Sequence, residues 1–133
     1  MARTPQCRNP LLVPLAAAVL ACALLLAACF TAVTPPSEPA GITGSVTSVV
    51  SGDGRPASML VESTGTVAGA ISDKAQVNIP TSTMFFGPDG GAATLDSIAR
   101  IAKGTRVRVW FEGAVAESYP VQGSAKAVQI LSK

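Results

Sequence analysis

The sequence predicts an all-β domain of five strands, with one short helix between the third and fourth, behind a signal peptide and a Pro-rich tether. Three observations carry this prediction. Period-two alternation over Lys74–Ile79 and Thr105–Glu112 marks strands with one buried face. Clusters of Gly, Asp and Pro at Ser51–Gly54 and Pro88–Gly91 punctuate the strands as turns. Helical spacing with both start and stop signals occurs in one segment, Thr94–Lys103.

Taken in order, Gly41–Val50 contains Ile42, Val46, Thr47, Val49 and Val50, β-branched residues that suit a pleated, half-buried surface. Ser58–Ser63, around Met59, Leu60 and Val61, follows the Gly/Asp turn and pairs with the first strand as a hairpin. A Gly- and Ser-rich loop spans Thr64–Asp73. In Lys74–Ile79, Ala75, Val77 and Ile79 share one face, and Lys74, Gln76 and Asn78 the other. Pro80 has no N–H for a ladder, so it predicts an edge or a bulge, with the strand resuming over Thr83–Phe86.

The helix has Thr94 as its N-cap, Asp96 at the positive end of its dipole, and Gly104 as its stop. Leu95, Ile98, Ile101 and Ala102 fall near one side. Such a short helix is not stable alone, so it is expected to plug an apolar opening. Thr105–Glu112 then points Val107, Val109 and Phe111 one way and Arg106, Arg108, Trp110 and Glu112 the other. Ser124–Leu131 closes the domain with Val128 and Ile130 on its apolar side. This order of elements is that of an OB-like barrel, with another small barrel or a two-layer sandwich as the alternative. Closing the sheet explains how a small domain protects its edges.

The N-terminus reads as an export signal. Arg3 and Arg8 precede an uncharged stretch from Leu11 to Ala28, and small residues precede Cys29. Leu26-Ala27-Ala28-Cys29 resembles the lipobox of bacterial lipoproteins. That resemblance implies cleavage after Ala28 and a diacylglyceryl group on the Cys29 sulfur. An uncleaved membrane helix over Leu11–Phe30 and plain secretion after an Ala-x-Ala site are the alternatives. Two acyl chains suffice for stable anchoring, since each buried CH₂ contributes about 0.8 kcal/mol. The expected organisation is a signal over 1–28, a lipidated Cys29 and Pro-rich tether over 29–40, and a barrel over 41–133. The tether has Pro35, Pro36 and Pro39, a composition that favours extended chain.

Composition narrows the function classes. Of the ten Lys and Arg, Arg3 and Arg8 fall in the signal, so eight remain to balance the eight Asp and Glu. A neutral domain with few aromatics lacks the positive groove and stacking platforms of a nucleic-acid binder, and none is expected as a partner. Cys7, Cys22 and Cys29 all lie in the N-terminal segment, so the barrel has no disulfide. With no His in the chain and no Cys in the domain, zinc is not expected. An all-oxygen Ca²⁺ site stays open, but no EF-hand-type loop occurs. No cofactor is implied.

Arg108-Val109-Trp110-Phe111-Glu112-Gly113, Glu117-Ser118-Tyr119-Pro120 and Ala125–Leu131 resemble the C-terminal half of the YobA-like family. Gly41-Ile42-Thr43-Gly44-Ser45-Val46 and the hairpin to Leu60-Val61-Glu62 fit its front. The resemblance covers about Gly41–Leu131 and implies an exported OB-like barrel of unknown function. The Gly/Ala-rich Thr64–Ala70 departs from the family pattern.

Four residues are candidates for ligand or partner contact. OB-type barrels bind ligands on strands 2 and 3 and the flanking loops, here Ser51–Pro56 and Gly113–Gly123. The second loop contains Glu117 and Tyr119, an acceptor and an aromatic platform, or else a Tyr that is a structural plug whose hydroxyl ties the loop to the backbone. Arg108 beside Trp110 suits an anionic or planar ligand, or else forms a strand face with the Trp covered by tether or loop. Catalysis finds little support, because a nucleophilic Ser needs an activating base and no Ser-x-x-Lys motif supplies one. The chain is therefore expected to be a non-enzymatic module, lipid-anchored through Cys29 at the cell or outer membrane, binding a protein or envelope component. An accessory envelope lipoprotein is the second expectation, and a hydrolase-like enzyme the third.

Overall fold

The computed structural model describes residues 32–63, 65 and 69–133, so the expected signal segment and Cys29 lie outside the described residues. Residues from Val33 onward form one compact unit. Its elements are β1 (Ile42–Gly52), β2 (Arg55–Glu62), β3 (Lys74–Asn78), β4 (Met84–Phe86), α1 (Leu95–Ala99), β5 (Arg106–Ala116) and β6 (Val121–Ser132).

Strands β3, β2, β1, β5 and β6 neighbour one another in that order, and a parallel β3–β6 pairing closes them into a five-stranded barrel. The sixth strand, β4, lies outside the closure and runs parallel to the second half of β6. Thus β3 pairs with Val121–Ser124 and β4 with Ala127–Gln129, along the same edge of β6. Between them the Thr83 hydroxyl donates to the Ala125 carbonyl at 2.7 Å, satisfying a buried acceptor where the ladder is interrupted.

The expected continuation of the third strand past Pro80 is therefore a separate strand. The helix lies between the fourth and fifth of six strands, not between the third and fourth. Pro80 sits at the break, and Thr83 N–H donates to its carbonyl. The second strand begins at Arg55, earlier than Ser58, because Asp53 and Gly54 both adopt positive φ (52° and 74°). Two such residues make a tight two-residue hairpin that matches strand twist, so pairing resumes at once with Gly52 opposite Arg55. The helix stops at Ala99 and leaves Leu95 85% exposed, outside the core the spacing gave it. Thr94 does cap it, accepting from Ser97 N–H, and Ile101 reaches the core from beyond the helix.

Inside the barrel, Ile42, Val46, Met59, Val61, Ala75, Val77, Val107, Val109 and Val128 are buried. These are the inward set of the alternation. A second, smaller cluster lies on the outside of β4, β5 and β6, where Phe86, Trp110 and Ala127 pack together under Ala40. What covers it is the chain just before β1. Pro35 borders Gly90, Pro39 borders Gly69, and the Gly41 N–H joins the Val109 carbonyl. Residues 35–40 thus form a strap across the outer face of β5.

Candidate functional site

The four candidate residues fall into two groups. Arg108 and Trp110 occupy the outward side of β5, beneath the strap. Glu117 and Tyr119 sit in the β5–β6 turn, at the β3 end of the barrel. The structure does not bring the two groups together.

Trp110 lies on the outward side of its strand yet is 4% exposed, covered by the tether as one of the two readings of this face expects. The reason is the strap. The indole N–H donates to the Glu38 carbonyl at 2.8 Å, and Ala40 packs on the ring's cluster. A second tie fixes the same residue, since Lys126 Nζ donates to Glu38 Oε1 at 2.9 Å. That hydrogen bond, followed by the Glu38 charge, raises the Lys126 pKa above its ordinary 10.5.

Arg108 stays half-buried beside the strap. Its Nη1 donates to Gln129 Oε1 at 3.2 Å, and Gln129, 7% exposed, donates from its own amide to the Gly87 carbonyl. Gln129 is the cross-strand neighbour of Arg108 on β6, and Thr43 its neighbour on β1. Between strap and strand lies an open pocket of about 430 Å³, with Pro36, Ser37, Glu38, Thr43, Arg108 and Trp110 among its walls.

At the other group, Tyr119 is 72% exposed, so it is neither a plug nor tied to backbone. Its hydroxyl donates to Asp73 Oδ2 at 3.4 Å. Within the turn Ser118 donates to the Pro120 carbonyl, and the Tyr119–Pro120 bond is cis. Glu117 is exposed beside it. Nearby, Lys74 pairs with Glu62 at 2.7 Å, a hydrogen bond and charge that raise the Lys74 pKa above 10.5. The two loops expected to flank a ligand stand at opposite ends of β2. Gly52–Arg55 closes one end, where Arg55 donates to the Pro80 carbonyl, and Glu62–Lys74 and Tyr119 mark the other.

Several residues that build these sites carried no sequence signal. Gln129 and Thr43 look like ordinary outward strand positions, and Glu38 like a residue of an open tether. Asp73, beside Lys74, reads as a turn. Only the fold places them against Arg108, Trp110 and Tyr119.

Residues 61–132 match a protein-family model described as a protein of unknown function, DUF3221. The chain belongs to this family. The DUF3221 match runs from the end of β2 through β6 and includes both candidate groups, while the strap and β1 precede it. No curated protein and no solved structure matches the chain. Among the described residues, no helix is long and apolar enough to cross a membrane, and no group of three or more His, Cys, Asp or Glu could hold a metal ion.

Proposed function

We propose that this DUF3221 protein is a YobA-like lipoprotein, anchored through Cys29 outside the cytoplasm, whose barrel is a non-catalytic binding module for a protein of the envelope. The observation that carries the reading is the β5–β6 turn. A large aromatic side chain, Tyr119, stands 72% exposed on a turn fixed at both ends by strands. Exposed Tyr on a rigid support is the residue type that supplies interface contact at low entropic cost. Asp73 holds its hydroxyl, and Glu117 adds a charge at the rim.

The lipobox-like Leu26–Cys29 supports the anchor and the small-residue cleavage site supports export. The strap bears on the second reading, an accessory protein that spaces an assembly from the membrane. Because residues 35–40 lie on the barrel, only the residues before Pro35 are left to act as spacer. This favours recognition by the turn over spacing by the tether.

Crosslinking the full chain in its native envelope, with capture analysed by mass spectrometry, tests the proposal. A reproducible protein partner that is lost with Tyr119→Ala and kept when residues before Pro35 are lengthened is the expected result. Capture unchanged by Tyr119→Ala, in a variant whose circular dichroism is that of the parent, would overturn it.

A further inference from the structure

We propose that the pocket between the strap and β5 binds a small molecule through its carboxylate, with Arg108 as the anchor. This site is separate from the Tyr119 turn, and neither reading depends on the other.

Arg108 is the cation that lines this pocket, and it has no carboxylate partner among the described residues. Among the described residues, the ion pairs are Lys74–Glu62, Arg100–Asp96 and Lys126–Glu38. Arg108 instead gives one donor, on Nη1, to the neutral amide of Gln129. Gln129 is nearly buried and anchored at its other end to the Gly87 carbonyl, so it fixes the guanidinium without neutralising it. The Nη2 and Nε donors have no protein acceptor among the described residues, and their planar fork is the shape that meets a carboxylate with two parallel hydrogen bonds.

The surroundings match a monoanion with an apolar body. Of the two charged residues that line the pocket, Glu38 is engaged by Lys126, which leaves the Arg108 guanidinium to meet an anion. Thr43, directly across from Arg108 on β1, offers a hydroxyl donor. Pro36 and Trp110 supply apolar wall. At about 430 Å³ the space lies within the range of small-molecule sites. One wall is the strap itself, so the site exists only while the strap is docked, and a bound carboxylate holds the strap down by mass action.

The chain has a single Trp, and it lines this pocket, so its emission reports on the site. The full-length chain in detergent is titrated with benzoate and with benzamide. Two further arms, N-acetyl-Ala-Ala with a free C-terminus and its amide, distinguish a free aromatic acid from the carboxylate end of a peptide. The expected result is a saturable change with one of the carboxylates, with a dissociation constant of about 1 mM or tighter. The matching amide binds about tenfold more weakly or worse, as does the carboxylate to Arg108→Gln. Should Arg108→Gln not fold, Arg108→Lys keeps the charge and stem, and loss of the fork weakens the carboxylate about tenfold. No saturable change with either carboxylate, an equal response to the amides, or a response unaltered in the Arg108 variants would overturn the proposal.

Discussion

Gly44 is the residue whose identity is most tightly dictated by the fold. A Cβ there would overlap the backbone carbonyl of Glu62, where the end of β2 passes β1, and backbone cannot step aside as a side chain can. Gly44→Ala is expected to destabilise the domain by about 3 kcal/mol, read from the shift in urea midpoint at constant slope. Gly41 and Gly123 answer to one side chain instead. The Phe111 ring lies against both, at 2.7 Å from where a Gly123 Cβ would stand. Trp110 combines two roles, filling the outer cluster and holding Glu38. Trp110→Phe keeps most of the ring packing and removes the indole donor. It should therefore cost about 1 kcal/mol, against about 3–5 kcal/mol for Trp110→Ala, both measured by denaturation followed by circular dichroism.

Among the elements, the strap has the clearest electrostatic dependence. Glu38 raises the Lys126 pKa above 10.5, with a smaller push from Glu112. The folded value exceeds the unfolded one, so the contribution of the pair is fully present below pH 10.5 and is lost as pH climbs through the raised value. The pair is solvent-exposed and the Trp110–Glu38 bond persists, so its loss should loosen the strap only slightly, read as a small red shift of Trp110 emission above pH 10.5. Glu38→Gln should show a looser strap at neutral pH and no such added step, and an identical profile in both proteins would contradict this. The barrel strands were legible because alternation at Lys74–Ile79 and Thr105–Phe111 reports burial of one face directly, and the buried Val77, Ile79, Val107 and Val109 follow it. The helix was legible at its cap and not at its end. Leu95 has the right spacing for a core position, but the short turn at Arg100 hands that role to Ile101, and spacing cannot see where a helix ends early. That the tether covers Trp110 was one of the readings the strand face allowed, but the contacts that dock it were not legible. Three prolines and a Glu read as open chain, and the contacts that hold it come from Trp110, Lys126 and Gly69, all distant in sequence.

Across the whole molecule, the parallel β3–β6 pairing turns a curled sheet into a closed barrel and sets the two candidate sites apart. One outer face carries the strap and the Arg108 pocket, and the β5–β6 turn presents Tyr119 at the start of β3. The sequence offers these four residues as candidates for contact, and barrel analogy puts their flanking loops at one mouth. Only the strand order shows the loops at opposite ends of β2. Partner recognition in the envelope requires that the barrel be exported and held there, so the chemistry at Cys29 is where the account is most exposed. The direct measurement is the intact mass and N-terminal peptide mass of the protein purified from its own membranes. The account predicts a chain that begins at Cys29 and carries a diacylglyceryl thioether on its sulfur, with Cys29→Ala releasing the protein from the membrane or blocking its cleavage. A mature protein that still begins at Met1, or that carries an unmodified Cys29, would contradict it.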